Sequence, residues 1–463
     1  MTLEQRITNM LKVLATDDIV RLLQDTSSPV LIIIILWSIL LATLAAVFFA
    51  RRSKITPPPW PVVAGARPFI GNSLESIESL GAQLDIWAKM YDNEKGIFEF
   101  QLFGTRFIVP CRAETLELIM NERPFQIQRN SKLNDAIASV GGDGLFSAEG
   151  ETWKSDRRLV APALNRKNVE DYLSMINMVT GRLVEKWESE TVQGGRHVVV
   201  NRDVLSMTMD IISLVAFGKD MDFLRAQGSV PVGPDLLKLM NITMMRSLSP
   251  FPYWNIPWIG QYLDGAGWPK HRLLRYFSSL VKQHESLAEE ASAAASKDNH
   301  KSRTFLSKVI ALRRRGNTTM SHDRLVGNLF TLFAAGSETT HVTICSCLWE
   351  IATDTTGLQD ELASEAQRMK NMEKASVEEL LNGFPRIRSL MYEILRIKGP
   401  TPFLGFQCKD EFSICGTKLP PSTKLMVPTR YISMQSGQTP SGPLNASASE
   451  FCARRYLLID RGE

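Results

Sequence analysis

The stretch FAAGSETT, residues 333–340, lies at the centre of a segment in which apolar residues recur every three to four positions. This spacing predicts one helix of about 30 residues or more. Ala335 and Gly336 leave one face almost without side chains, so that a flat ligand could approach the backbone. Thr339 can donate its hydroxyl to a carbonyl one turn earlier, beside the ionisable Glu338. The stretch predicts a proton-delivery site; the alternative, a helix N-terminal cap, is disfavoured because apolar spacing continues on both sides.

A second motif, Gly150-x-x-Trp153-x-x-x-Arg157, places an indole N–H and a guanidinium one helical turn apart. Two such donors suit a carboxylate group. An amphipathic helix with a buried tryptophan and an exposed arginine explains the pattern equally well, so both interpretations stay open.

Two further motifs lie nearer the end of the chain. Glu393 and Arg396 are three residues apart on a predicted amphipathic helix that Gly399 and Pro400 end. Taken alone, such a pair is typically solvated. FCARRY, residues 451–456, is uninformative by itself.

The composition is that of a folded protein, because 44% of the 463 residues are hydrophobic and 22% are charged. The 53 basic and 49 acidic residues give a net charge of +4, so no strong electrostatic field favours nucleic acid. Six cysteines without a CxxC pair predict reduced thiols. There is no HExxH motif or clustered Cys/His set, so no metal-ligating residue is predicted within the chain.

The N-terminal region predicts a membrane anchor. Residues 30–50 are apolar and uncharged, which suits one transmembrane helix, and residues 1–29 form its lead-in. Basic residues follow the span directly, so the large C-terminal part is expected on the cytoplasmic side. Residues 51–72 are basic and proline-rich and predict a stiff hinge.

The remaining residues, 73–463, predict one mainly helical body. A hairpin is predicted at residues 96–109. Helices are predicted from apolar spacing at 152–163, 169–187, 202–217, 236–247, 271–294, 321–353, 358–369 and 386–397. A loop is predicted at residues 133–145, and residues 236–258 are rich in Met, Phe and Trp, which is compatible with an apolar ligand or with contact to the membrane surface.

Taken together and in this order, the four motifs resemble those of the cytochrome P-450 haem-thiolate monooxygenases. The matching patterns are W-x-x-x-R at Trp153 and Arg157, A-G-x-[DE]-T-[ST] at residues 335–340, E-x-x-R at Glu393 and Arg396, and a degenerate F-x-P-x-R-[FWY] at residues 451–456. The resemblance implies the cytochrome P-450 fold, mainly α with small β-sheets, and the anchor and hinge are similar to those of the microsomal members.

The resemblance also implies roles for individual residues. Glu338 and Thr339 would be catalytic and relay protons, and Glu393, Arg396 and Arg455 would form a buried structural triad. The residues that would bind the cofactor are Trp153, Arg157, Ala335 and Gly336. The cofactor implied is haem b, with NADPH electrons arriving through a flavin reductase. The implied partners are that reductase, a lipophilic small molecule and membrane lipid, at the endoplasmic reticulum.

The sequence departs from the family pattern at three places. Gln407 stands where the family often has a further arginine for a haem propionate, and Ala453 replaces a proline. The family's cysteine loop, F-x-x-G-x-x-x-C-x-G, is not found among the 463 residues, and none of the six cysteines has its glycine pattern. The expectation is therefore a monooxygenase fragment that is incomplete at the C-terminus and lacks the axial cysteine, itself inactive. The alternative is a non-catalytic, membrane-tethered helical protein with a binding or regulatory role.

Overall fold

The computed structural model describes residues 58–68, 70–73, 79–193, 195, 197–226, 232–249, 251–293, 304–316, 320–368, 375–435 and 445–457. Contacts divide the chain into two units, residues 1–59 and 60–463. The predicted lead-in and anchor, residues 1–50, lie outside the described residues. Among the helices that are described, none is both long and apolar enough to cross a bilayer.

The body is mainly helical. Its helices are α1 (Leu80–Met90), α2 (Ala113–Asn121), α3 (Ser131–Gly141), α4 (Gly150–Val160), α5 (Arg166–Glu170), α6 (Leu173–Glu188), α7 (Val200–Phe217), α8 (Phe223–Ala226), α9 (Val232–Leu248), α10 (Gly267–Ala293), α11 (Phe305–Arg314), α12 (His322–Thr353), α13 (Leu358–Arg368), α14 (Val377–Gly383), α15 (Pro385–Ile397) and α16 (Thr429–Ser433).

The strands form two small sheets. They are β1 (Ile97–Leu102), β2 (Thr105–Pro110), β3 (Ile127–Arg129), β4 (Leu404–Cys408), β5 (Phe412–Ile414), β6 (Thr417–Leu419) and β7 (Lys424–Val427). The larger sheet has the order β1-β2-β7-β4-β3, and only the β2–β7 pairing in it is parallel. β5 and β6 form a separate antiparallel pair. Strands from both ends of the sequence therefore meet in one sheet.

The predicted mainly helical architecture with small sheets is confirmed. The predicted hairpin corresponds to β1 and β2, and Phe103 and Gly104 in its turn both have positive φ. Residues 133–145, however, are not the predicted loop, because α3 covers most of them. The Asn130 side chain accepts a hydrogen bond from the Lys132 N–H (3.1 Å) and caps this helix.

Part of the predicted hinge belongs to the body. Trp60 is buried, and its indole N–H donates a hydrogen bond to the Glu99 carboxylate (3.3 Å). The Val63 N–H donates to the backbone carbonyl of Glu99 (2.8 Å). Pro58, Pro59 and Pro61 favour an extended backbone, which can pair with β1 as well as span a gap. The described part of the predicted hinge from Trp60 onward therefore packs with the body, and residues 51–57 of that prediction lie outside the described residues.

Helix α12 lies at the centre of the larger core and packs against α7 and α10. Phe333 contacts Phe217 and Phe277 there, with ring centroids 6.1 and 6.0 Å away. The helix begins where the Ser321 hydroxyl accepts a hydrogen bond from the Arg324 N–H (3.3 Å). FAAGSETT is thus inside a long helix and is not an N-terminal cap.

Candidate active site

An open strip runs along the middle of α12. Ala335 and Thr339 are both exposed on it, one turn apart, and Thr340 is exposed beside them. The Thr339 hydroxyl donates to the Ala335 carbonyl (2.7 Å), and the helix continues without interruption through this point. The strip therefore combines a small residue with hydroxyls whose oxygens can still accept hydrogen bonds.

Glu338 lies next to the strip and is half-buried. Burial raises the pKa of its carboxyl group above the usual value for glutamate. A carboxyl group with a raised pKa keeps its proton to a higher pH, which suits proton transfer.

Gly336 faces away from the open strip. A Cβ atom built on it would lie 2.8 Å from Cδ1 of Ile212, on the neighbouring helix α7. The expectation that Ala335 and Gly336 open the same face to a ligand is thus corrected. Consecutive helical residues are about 100° apart, and only Ala335 points to the open side. Gly336 allows α12 and α7 to pack closely.

A mostly apolar cleft on this side of α12 has a volume of about 600 Å³. It lies between the second half of α12 and helix α15. It is lined by Thr339, Thr340, Thr343, Ile344, Cys347, Leu348, Ile351, Leu362, Ile387, Leu390, Met391, Leu395 and Pro400. Three threonines give it one polar end, where the open strip of α12 begins.

Beneath the cleft lies a buried charge network. Glu393 and Arg455 are fully buried and Arg396 is 8% exposed. Arg396 donates two hydrogen bonds of 2.8 Å to the Glu393 carboxylate, and Arg455 Nε lies 3.1 and 3.2 Å from its two oxygens. The Cys452 N–H also donates to Glu393 (2.8 Å). The structure brings the three triad residues together, so the pair within E-x-x-R is not solvated.

The remaining guanidinium N–H groups of the network donate to backbone carbonyls. Arg396 reaches Ser433 (3.0 Å) and Glu450 (3.1 Å), and Arg455 reaches Ala446 (3.0 Å) and Ser447 (2.8 Å). One carboxylate faces two guanidiniums, and these carbonyls stabilise the second positive charge. The network therefore fixes residues 446–455 against α15.

Trp153 and Arg157 contact each other on α4. The Arg157 guanidinium lies 5.2 Å from the centre of the indole ring, in a cation–π contact, and Arg157 is exposed. Asp156 on the same helix is buried and pairs with Arg324 at the start of α12. The structure thus places α4 against α12 but shows no carboxylate on the Trp153–Arg157 pair among the described residues.

Three of the cysteines are poor thiolate sources. Burial raises the pKa of Cys111 to about 12 and those of Cys347 and Cys408 to about 11. Within the described ranges no three His, Cys, Asp or Glu residues are grouped as metal ligands. His341 is buried and bonds Asn201 through Nε2 (2.8 Å), as a packed polar group.

A pair of lysines near Gln407 was missed by the sequence reasoning. Gln407 pairs with Lys424 across β4 and β7, and its side chain accepts a hydrogen bond from the Ser131 hydroxyl (2.8 Å). Lys132, the residue after Ser131, is thereby brought to the sheet. Almost 300 residues separate the two lysines, and no local pattern connects them; the only signal was the departure at Gln407.

The geometry agrees with the comparisons. The family model described as Cytochrome P450 matches residues 58–436, and the chain belongs to this family. "Cytochrome P450 monooxygenase 205" of Postia placenta is 25% identical over 283 residues, which are 58% of this chain and 51% of the relative. "Cytochrome P450 2J5" of Mus musculus is 23% identical over 390 residues, 79% and 71% of the two chains.

Another relative combines two proteins in one chain. The "Bifunctional cytochrome P450/NADPH--P450 reductase" of Aspergillus oryzae is 24% identical over 355 residues, 76% of this chain but 30% of the relative. The chain thus spans about half or less of the length of these first relatives. A crystal structure of a cytochrome P450 (CYP102L1) superimposes with a TM-score of 0.70 at 18% identity, covering 88% of this chain and 85% of that one. At this identity the likeness shows the fold.

Proposed function

We propose that the chain is part of a membrane-anchored, haem-dependent monooxygenase that inserts one oxygen atom from O2 into a lipophilic small molecule. The observation that carries the proposal is the exposed strip of Ala335 and Thr339 halfway along the longest described helix, at the end of an apolar cleft. Mid-helix residues of a large core are normally covered, so this surface suits a large apolar group.

The residues present fit haem b. Ala335 and Thr339 would lie against the flat face of the macrocycle, and Trp153 and Arg157 could turn their donors from each other to one of its carboxylates. Haem, when bound with a thiolate, supplies the activation of dioxygen. The protein would supply orientation, exclusion of water by the apolar cleft, and protons.

Glu338 and Thr339 are the proposed proton-transfer residues. The Thr339 hydroxyl hydrogen is held by the Ala335 carbonyl, so its oxygen is free to accept a proton or a hydrogen bond from the open side. Burial raises the pKa of Glu338, so that carboxyl group keeps its proton to a higher pH than an ordinary glutamate does. Thr339 would position the proton, and Glu338 would supply the proton that replaces it.

We further propose that the axial thiolate comes from residues outside the 463 given. Burial raises the pKa of the Cys111, Cys347 and Cys408 thiols, so they resist ionisation. Cys347, the one in the cleft, lies on a regular helix without a loop of N–H groups around its sulfur. The 463 residues alone would then be inactive.

The electron donor is proposed to be a flavin reductase that uses NADPH. The name of the Aspergillus oryzae relative, which joins a cytochrome P450 to an NADPH–P450 reductase, supports this proposal. The proposed location is the endoplasmic reticulum membrane, with residues 30–50 as a single span. Deletion of residues 1–59, the first of the two units, should move the protein from the membrane to the supernatant fraction.

The spectrum of the reduced, carbon-monoxide-bound protein tests the function. The 463-residue chain should give no thiolate-type spectrum, and the chain extended by the codons that follow Glu463 in its transcript should give one. A stop codon directly after Glu463 would instead favour the non-catalytic, membrane-tethered alternative. A thiolate spectrum from the 463 residues alone would contradict the external ligand, and Cys347→Ser would be the first variant to identify its source.

A further inference from the structure

We propose that Lys132 and Lys424 form a two-lysine site for a carboxylate group of a bound ligand, on the face of the large sheet that carries Gln407. The inference rests on the proposed function, because haem b carries two carboxylates and a lipophilic acid could carry one.

The register of the sheet brings the site together. Gln128, Gln407 and Lys424 are direct partners across β3, β4 and β7. Directly opposite residues of antiparallel strands place their side chains on the same face, about 5 Å apart. The three side chains therefore form one polar row across the sheet.

Helix α3 adds the second lysine to this row. Ser131 donates to Gln407 Oε1 from both its hydroxyl (2.8 Å) and its backbone N–H (3.3 Å), which fixes the first turn of α3 on the row. Lys132 follows directly, and its charge acts on that of Lys424. Two ammonium groups from distant parts of the chain are thus close enough to repel each other.

The two charges are not neutralised within the protein. Neither ammonium group has a carboxylate or hydrogen-bond partner among the described residues. Burial and then the Lys424 charge lower the pKa of Lys132 to about 8, and burial lowers the pKa of Lys424. Neighbouring cations of this fold are paired: Arg129 lies 3.7 Å from Glu149 and Arg106 lies 2.5 Å from Glu99.

Half-buried, unpaired like charges destabilise a fold unless an anion binds between them. The row adds a third polar group, the Gln407 amide, whose nitrogen can donate to a carboxylate while its oxygen accepts from Ser131. Two lysines and an amide on one sheet face thus offer the donors that the family's arginine would otherwise supply.

Binding of porphyrins with and without free carboxylates tests the site. The 463-residue chain is titrated with iron protoporphyrin IX and with its dimethyl ester, by quenching of tryptophan fluorescence. The diacid should bind more tightly, and Lys132→Met and Lys424→Met should each lower its affinity about tenfold, because a charge-assisted hydrogen bond is lost. The ester affinity should not change. Lys409→Met, at an exposed lysine at the end of β4, is the matched control.

A second titration, with dodecanoate and dodecanol, identifies the source of the carboxylate. If the two variants weaken dodecanoate and not the porphyrin diacid, the site serves an acidic substrate and the inference still holds. If the double variant changes neither acid, or if Lys409→Met has the same effect, the inference is wrong. Failure of the unaltered chain to bind either porphyrin would contradict the haem proposal, and the dodecanoate arm would still decide the lysine site.

Thermal unfolding separates binding from a structural role. Removal of two unpaired, half-buried charges should leave the melting temperature unchanged or raise it, since Met keeps most of the apolar stem. A marked fall in the melting temperature of both variants would show that the lysines stabilise the fold, and would overturn the inference.

Discussion

Thr339 is the residue whose surroundings most closely match the chemistry proposed for it. It lies on the open strip, its hydroxyl hydrogen is engaged by the Ala335 carbonyl, and its oxygen is unobstructed. Thr353, at the exposed end of the same helix, makes the same type of bond to Trp349 (2.8 Å) but does not line the cleft and lies about four turns from Thr339. The two threonines thus differ in place and not in local bonding.

Thr339→Ala should therefore lower the product formed per NADPH consumed several-fold in the haem-loaded, extended protein, with the difference appearing as hydrogen peroxide. The reason is that the hydroxyl which positions the proton is absent, while the helix bond it makes is dispensable. Oxygen, NADPH, peroxide and product are measured together. Thr353→Ala is the control and should keep the coupling of the unaltered protein; equal coupling in both variants would contradict the proton-transfer role.

Asp210 is a second residue whose burial has a measurable consequence. Its carboxylate accepts hydrogen bonds from the N–H groups of Phe223 (2.8 Å) and Leu224 (3.1 Å), so it joins α7 to the start of α8. Burial raises its pKa from 3.8 to about 6, although the two N–H donors oppose this. The folded protein therefore retains a proton between about pH 4 and 6 that the unfolded chain has released.

The free energy of unfolding should accordingly contain a component that is present below about pH 4 and is lost as the pH rises to about 6. Asp210→Asn removes this component, because the amide does not titrate. Urea unfolding from pH 4 to 7.5 should show that the difference between the two proteins varies with pH within this window only. A constant difference would show that the pKa of Asp210 is not raised.

At the scale of elements, the contact between α7 and α12 depends on Gly336. The missing Cβ leaves room for Cδ1 of Ile212, which would be 2.8 Å away, and this small gap lets the two helices approach. Alanine favours a helix over glycine by about 1 kcal/mol, whereas overpacking typically costs about 1–3 kcal/mol. The steric effect is thus expected to be the larger.

Gly336→Ala should therefore destabilise the protein by about 1 kcal/mol. Ile212→Ala removes both Cδ1 (2.8 Å) and Cγ1 (3.1 Å), and in that background Gly336→Ala should become neutral or stabilising, since only an ordinary contact with Cβ (3.8 Å) and the helix preference remain. The four proteins of this double-mutant cycle are compared by urea unfolding. If the stability changes of the two single variants add up in the double variant, the Ile212 side chain is not what makes position 336 too small for alanine.

Apolar spacing was sufficient to predict α12 and α15, because each has a continuous face buried in a core. The same spacing is present in α3, at Leu133, Ala136, Ile137 and Val140, although this segment was predicted to be a loop. The sequence also could not show that Gly336 faces α7, because the direction of a residue within a helix depends on which neighbours the fold supplies. The Lys132–Lys424 proximity depends on strand register, which no local pattern reveals.

At the scale of the molecule, the Glu393 network joins α15 to α16 and to residues 446–455. The motifs predicted the three members, and their resemblance to a family predicted that they would meet. The bonds to backbone carbonyls could not be predicted, because they depend on the path of the chain between α16 and Arg455. Those carbonyls influence how much stability is lost when each member of the network is replaced.

Glu393→Gln should destabilise the protein by about 3 kcal/mol or more, because two buried guanidiniums would lose the carboxylate that they share. Arg455→Met should cost less, since Glu393 and Arg396 would remain as a balanced pair and water can reach the exposed Ser447 and Glu450. Both are measured by urea unfolding. The reverse order would show that the stranded carbonyls, and not the stranded charges, dominate the network.

The same network sets an order of events during synthesis. Glu393 and Arg396 are neighbours on one helix and can pair as soon as α15 forms, whereas Arg455 is made 62 residues after Glu393. At about 5–20 residues per second, the ribosome needs about 3–12 seconds for that interval. During it the nascent α15 carries a balanced ion pair. The second guanidinium then arrives on the same segment as the carbonyls of Ala446 and Ser447 that stabilise it, so the growing chain does not have to bury an uncompensated charge.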